Sequence, residues 1–237
     1  MYERNKFEKS LILGKSKFYH KGICHTCNKQ VDFVVDYDYS YKTELERMPN
    51  WRESIVCPNC KLNNRMRFSL HIMSDFKKTS NIYIAEQISP LYTHLVKKIN
   101  SIIGSEFLGT KVPLGKTNNN RIRNEDFTNL TFSNEVFDLV LSFDVFEHIP
   151  DYYSAFTEAY RVLKTNGRLI FSVPFEKNSY KNIVRARIQN GRTEHILPPE
   201  MQGDPLNLSE GTLCYYHFGW EILYILRKTG FKDVHAK

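Results

Sequence analysis

Four of the chain's five cysteines fall into two close pairs, Cys24-His25-Thr26-Cys27 and Cys57-Pro58-Asn59-Cys60. A Cys-x-x-Cys turn presents two sulfurs on one side of a tight loop, and two such turns supply the four corners of a Zn–S4 tetrahedron. The 29-residue gap between the pairs exceeds the roughly 15–20 residues of common ribbons, yet leaves room for a hairpin. Residues 31–41, rich in Val, Phe and Tyr, favour strands there. Two disulfides are the alternative, disfavoured in a reducing compartment, and a redox Cys-x-x-Cys leaves the second pair unexplained. With Cys24, Cys27, Cys57 and Cys60 as ligands no position remains for water, so the Zn2+ expected here is structural. His25 is a competing ligand inside the first turn. Cys214, alone in Leu213-Cys214-Tyr215-Tyr216, reads as a core residue rather than a nucleophile.

Further chemistry must be carried by elements that begin near residue 80. From there short apolar runs alternate with helical periodicity, the pattern of parallel βα units. Ile82-Tyr83-Ile84-Ala85 reads as a first strand, followed by a helix capped by Ser89 and opened by Pro90, with Leu91, Leu95 and Ile99 on one face. Residues 102–104 give a second strand ending at Ser105-Glu106, residues 109–120 a loop, and residues 121–126 a third strand. Phe137-Asp138-Leu139-Val140-Leu141-Ser142-Phe143 is the strongest strand of the chain. Asp151 opens a helix and Gly167 closes it, with Phe156, Ala159, Tyr160 and Leu163 at helical spacing. Residues 168–174 are expected as a fifth strand, 175–215 as irregular chain, 218–229 as a last helix ending at Gly230, and 231–235 as a sixth strand. The expected fold is α/β: a Rossmann-like, mostly parallel sheet with flanking helices over 79–237, behind a small zinc-binding β segment over 1–78.

Between residues 135 and 175 the chain reads in order Phe137-Asp138-Leu139-Val140, Asp144-Val145-Phe146-Glu147-His148-Ile149-Pro150, Glu158-Ala159-Tyr160-Arg161-Val162-Leu163-Lys164, Asn166-Gly167-Arg168-Leu169 and Val173-Pro174-Phe175. In this series it resembles the type 11 branch of class I S-adenosylmethionine-dependent methyltransferases. The likeness extends more weakly over about 80–235, and Trp51-Arg52-Glu53 ahead of Cys57 resembles zinc-ribbon leaders of some bacterial members. The family's glycine-rich loop after the first strand is replaced by Ala85-Glu86-Gln87, a turn similar to that of a subset of members. S-adenosylmethionine has no pyrophosphate to cradle, which makes those glycines less essential than in a dinucleotide fold. Members usually finish with a further hairpin strand, so the end at Lys237 reads as a trimmed domain or a truncated chain.

In an open parallel sheet, ligands sit beyond the carboxyl ends of the strands near the switch in strand order. That rule, with the resemblance, assigns Ala85, Glu86 and Gln87 to the methionine part of the cofactor and Glu106 to the ribose hydroxyls. It assigns Asp126 and Phe127 to the adenine, by hydrogen bond and by stacking, and Asp144 to the neighbourhood of the sulfonium. Glu106 as an ordinary surface glutamate is the plain alternative. A hydroxyl acceptor needs a base to take its proton, and histidine is the commonest choice. His148 is a candidate for that base or a support of its loop. His195, in the segment 192–217 with Gln202, Asp204 and His217, is a candidate in an acceptor-facing lid, since so long a connection is seldom mere linkage.

The formal net charge of +7 is unevenly placed, +6 over residues 1–78 (15 Lys/Arg, 9 Asp/Glu) and +1 over 79–237 (18 against 17). Zinc with four thiolates adds −2 to the first segment, leaving about +4. This basic excess attracts nucleic acid or an anionic substrate, or is a solvated face. The first 17 residues do not read as a secretory signal and no apolar run is long enough to span a membrane, so a cytoplasmic protein is expected. Three functions are consistent with these features. The first is methyl transfer to a small-molecule or carbohydrate acceptor at oxygen. The second is RNA methylation with the basic zinc segment as a grip, and the third a non-catalytic methyltransferase-like binding protein. Against RNA, an Asn-Pro-Pro-Tyr-type tetrapeptide is missing after the fourth strand.

Overall fold

The computed structural model describes residues 2–14, 16–42 and 47–236. The chain divides into two compact units, Met1–Lys77 and Lys78–Lys237. In the first, helix α1 (Tyr2–Ser10) precedes strands β1 (Phe18–Cys24) and β2 (Lys29–Val35), an antiparallel pair in register Phe18↔Val35 to Cys24↔Lys29. The alternation of Val31, Phe33 and Val35 with polar residues gives β2 one buried face, as period-two patterning requires. Two-residue strands β3 (Tyr41–Lys42) and β4 (Arg47–Met48) pair beyond it. Helix α2 (Asn64–Ile72) starts where the Asn63 side chain accepts the Met66 amide at 2.9 Å. Glu53 accepts from Asn63 Nδ2 at 2.5 Å and Arg65 Nε at 2.9 Å, tying the segment after Trp51 to the start of α2.

In the second unit β5 (Asn81–Ile84), β6 (Ser101–Gly104), β7 (Phe137–Phe143) and β8 (Leu163–Ser172) form a parallel sheet in the order β6-β5-β7-β8. Helix α3 (Pro90–Leu95) links β5 to β6, and α4 (Tyr152–Val162) links β7 to β8. Ser89 caps α3 by accepting the Tyr92 amide at 3.0 Å, and Asp151 caps α4 by accepting that of Ser154 at 3.1 Å. This is a Rossmann-like arrangement, a parallel sheet with flanking helices. β7 is buried along nearly its whole length, which is why its sequence runs apolar instead of alternating. Tyr152, Ala155, Phe156, Ala159 and Val162 form the buried stripe of α4 and meet Ile222, Ile225 and Leu226 of the last helix, α5 (Glu221–Thr229), in one core.

Several expected elements differ. Residues 121–126 are not a strand but a loop joined by isolated bridges, Glu106↔Asn124 and Thr117↔Arg123. Their side chains are nearly all polar and make the bonds a ladder would otherwise make. Buried Asn124 accepts from Leu108 N and donates to the Gly109 and Val112 carbonyls, while buried Glu125 takes Arg123 at 2.7 Å and both the amide and hydroxyl of Thr131. Helix α4 stops at Val162, short of Gly167, because Leu163 already pairs with Phe137. Residues 231–235 are not a strand; Phe231 packs edge-on against Tyr160 at 5.3 Å and Arg227 holds the Val234 carbonyl.

The stretch expected to be irregular contains paired strands. β9 (Ile183–Val184) pairs with β14 (Tyr216–His217). β10 (Ala186–Gln189) pairs with β11 (Arg192–His195), and β12 (Met201–Asp204) with β13 (Asn207–Leu213). Asn190 and Gly191, at φ 52° and 71°, make the two-residue turn of β10–β11, and Asn-Gly is the usual dipeptide for it. Among the described residues no helix is long and apolar enough to cross a membrane.

Candidate functional site

In the first unit each cysteine turn is closed by a backbone bond to its first cysteine and followed by a left-handed residue. The Cys27 amide bonds the Cys24 carbonyl, the Lys61 amide bonds that of Cys57, and the residue after each turn, Asn28 or Lys61, is left-handed at φ 50° and 62°. Val34 and Val56 exchange backbone bonds, which sets the second turn against β2. Sulfur–sulfur distances are 3.9 Å for Cys24–Cys60 and 3.8 Å for Cys27–Cys57, and all four lie within 4.8 Å of one another. A tetrahedron with Zn–S of about 2.3 Å has an edge of about 3.8 Å, so the four sulfurs fit zinc. Burial pushes the Cys60 thiol up to about 12. At Cys24 the Cys27 amide and the neighbouring thiols outweigh burial and bring it down to about 7.

In the second unit Ala85, Glu86, Gln87, Glu106 and Asp144 follow the carboxyl ends of β5, β6 and β7. The strand order reverses between β5 and β7, so a crevice is expected there. Glu106, just past β6, accepts the amides of Gln87 at 2.6 Å and Ile88 at 3.1 Å, and so holds the turn that follows β5. Gln87 reaches on to the next loop, accepting from Arg123 N at 2.7 Å and donating to the Arg121 carbonyl at 2.9 Å. Ala85 bonds Leu141 of β7 through its amide, and Glu86 brings its carbonyl against β6. A Cβ on Gly104 would stand 2.8 Å from that carbonyl and 2.5 Å from the Tyr92 ring, so the close approach depends on a glycine opposite the turn instead of within it. Burial raises the Glu106 carboxyl above its usual range against the two amide bonds, and the charge of Asp204 adds to the rise.

Asp144, directly after β7, sits at φ 56°, a backbone state that a non-glycine residue seldom adopts and that often marks a functional turn. Its amide bonds the Ser172 carbonyl at 2.9 Å and its carboxylate takes the Ser172 hydroxyl at 3.1 Å. Asp126 makes a local turn, accepting the amide and hydroxyl of Thr128. The Phe127 ring is buried in the core against Phe146 at 4.9 Å and Tyr83 at 5.8 Å.

His148 Nδ1 lies 2.8 Å from the Leu213 carbonyl. A carbonyl only accepts, so Nδ1 carries the proton and Nε2 keeps its lone pair. Burial lowers the His148 pKa, opposed by the Leu213 bond and the charges of Asp144, Asp204 and Glu200. His195, by contrast, lies on the exposed β10–β11 hairpin opposite Ala186. Sequence reasoning passed over Glu200, which accepts from His217 at 3.0 Å and Gln202 at 3.1 Å and pairs with Arg185 at 3.3 Å. Its signal was weak, because its partners are 15 residues before it and 17 after. Asp204 accepts the Thr212 hydroxyl at 2.7 Å within the β12–β13 hairpin, and its charge is among those that raise the Glu106 and His148 pKa values.

Residues 91–171 match the methyltransferase domain family. This segment contains Glu106, Asp126, Phe127, Asp144 and His148, while the Ala85–Gln87 turn and His195 lie outside it. The match supports an enzyme. No curated protein matches the chain. Among solved structures, an S-adenosylmethionine-dependent methyltransferase from Mesorhizobium loti is 19% identical over 71% of this chain and 82% of that one, with a TM-score of 0.46. A candidate methyltransferase from Bacillus halodurans is 19% identical over 44% of each chain, at 0.34. The YcgJ protein of Bacillus subtilis is 17% identical over 46% of this chain and 51% of that one, at 0.37. The matched part thus spans about half the length of the latter two proteins. At such scores these likenesses add nothing to the case for a particular activity.

Proposed function

We propose that this chain is a cytoplasmic S-adenosylmethionine-dependent methyltransferase acting at oxygen on a small-molecule or carbohydrate acceptor, with structural zinc in its N-terminal unit. The observation that carries the reading is Glu106, which stands just past β6 and holds the turn after β5 through the Gln87 and Ile88 amides, with Asp144 directly after β7, where an open parallel sheet takes its ligand. When bound, the cofactor supplies an electrophilic methyl group whose leaving group is a neutral thioether. The chain has three tasks: to hold the ribose hydroxyls on the Glu106 carboxylate, to align the acceptor, and to exclude water. His148, fixed by Leu213 with Nε2 unprotonated, takes the proton of the acceptor hydroxyl as oxygen gains its methyl group. The polar set Arg185, Glu200, Gln202 and His217 suits a hydroxyl-rich acceptor. A second reading, RNA methylation, has in its favour the exposed Tyr19, Lys21 and Ile23 on one face of β1.

The test is calorimetric titration of the zinc-loaded protein with S-adenosylmethionine and its demethylated product. Micromolar binding is expected and opens a screen of nucleotide-sugars and oligosaccharides. Absence of binding to both, in a folded sample, overturns the reading in favour of a non-catalytic binding protein. A strongly salt-dependent complex with RNA would shift it to the second reading.

A further inference from the structure

The four cysteines show what a preformed metal site looks like in this molecule: donor atoms of suitable type, brought within 4.8 Å of one another by backbone bonds. Among the described residues one other group meets that description, and it lies in the second unit. Glu200, Cys214 and His217 bring a carboxylate oxygen, a thiol sulfur and an imidazole nitrogen within the same 4.8 Å. The three are held by the fold and not by chance side-chain contact. The Cys214 amide bonds the Glu200 carbonyl at 2.9 Å, and His217 pairs with Ile183 in the β9–β14 ladder. Cys214 is fully buried, while Glu200 and His217 are each about a third exposed or less, so the group is open on one side.

We propose that Glu200, Cys214 and His217 form a second metal site, of the zinc type, with three protein ligands and one open position. Thiolate, imidazole and carboxylate are the three zinc donors found in proteins, and three ligands with a free corner distinguish a site that takes up an exogenous ligand from a closed structural one. Arg185 and Gln202, both on Glu200, are the outer partners that orient such a carboxylate. On binding, the Cys214 thiol gives up its hydrogen bond to the Tyr216 carbonyl and its proton to solvent, and His217 gives up its Nε2–H bond to Glu200 as that proton shifts through solvent to Nδ1, so that sulfur, imidazole nitrogen and carboxylate each offer a lone pair to the metal. The exogenous ligand that suits the open corner is an oxygen donor such as a hydroxyl or carboxylate. The proposal does not depend on methyl transfer.

Metal analysis of the full chain, reconstituted with Zn2+ and freed of excess, tests it. About two equivalents per chain are expected, falling to about one in both Cys214→Ser and His217→Gln. His217→Gln guards against misfolding, since its side chain is partly exposed, and a far-ultraviolet spectrum equal to that of the parent confirms the fold. Cobalt titration adds a second reading: the parent should take up a second ion after the four-thiolate site is filled, and the variants should not. One equivalent in the parent, or two retained in either variant, overturns the proposal.

Discussion

Within Met1–Lys77 the buried groups around the first hairpin are small. Phe18, Val35, Tyr37 and Trp51 make one; Cys24, Val31, Phe33 and Cys57 make another, in which half the members are cysteines. Within Lys78–Lys237 a continuous apolar group runs from Tyr83 through Phe146 and Phe156 to Leu226. A short segment cannot bury enough apolar surface to offset the entropy of ordering its backbone, and metal ligation is one of the few substitutes. The difference shows which interactions are expendable. The first unit sets four sulfurs among small apolar groups, whereas the second spreads its stability over one continuous core.

The sharpest way to break the comparison is to withdraw zinc. Cys57→Ser, or a strong chelator, should remove the ion and unfold the first unit, since apparent binding energies of structural zinc are on the order of 10 kcal/mol at neutral pH. Hydrogen exchange should show lost protection confined to residues up to 77, with the second unit unchanged. Loss of protection across both units would mean that the second also relies on the cysteines.

Next in size is the core of the second unit. Phe146 is fully buried, with rings of Phe127, Phe156 and Phe171 at 4.9, 4.7 and 5.3 Å. Phe146→Ala should cost about 3–5 kcal/mol in denaturant unfolding, and zinc content should stay at the parent's level. A loss under about 1 kcal/mol would show that the site collapses around the cavity.

Smaller again is the effect at the polar edge. Glu106→Ala should weaken S-adenosylmethionine binding by about 10- to 100-fold, the range of roughly 1.5–3 kcal/mol for hydrogen bonds to a charged group. Glu106 also holds the Gln87 turn, so Glu106→Gln, which keeps an acceptor there, should recover part of the loss. Unchanged affinity in both variants would remove Glu106 from the cofactor site.

What could be read from sequence follows from how local each signal is. The cysteine turns, the apolar run Phe137–Phe143 and the Asp151 cap each declare themselves within a few residues. The packing of Phe127 does not: nothing local announces that its ring lies against Tyr83 and Phe146. The third strand was misplaced because Asn124 and Glu125 resemble loop residues at a strand position, and they do replace a ladder with side-chain bonds. Glu200 was invisible because its partners, Arg185 and His217, reach it only through the folding of the β9–β14 segment. The Asn190-Gly191 turn, on the other hand, was legible and passed over.

The smallest expected effect is a pH dependence confined to the second unit. His148 titrates below its ordinary value of 6.5 because burial disfavours the imidazolium, although Asp144, Asp204, Glu200 and the Leu213 carbonyl all pull the other way. Between the lowered folded value and 6.5, the unfolded chain holds a proton that the folded chain does not, so stability rises with pH across that window. The contribution is full above 6.5, is lost as pH falls toward the folded value, and changes no further below it. His148→Gln should therefore flatten the acid side of the stability profile of the second unit relative to the parent. Equal slopes would mean that His148 titrates alike in the folded and unfolded chain, so that burial does not hold it neutral. If the neutral form is kept by burial, the same window should appear in methyl transfer, with turnover persisting below pH 6.5 and falling only as His148 becomes charged.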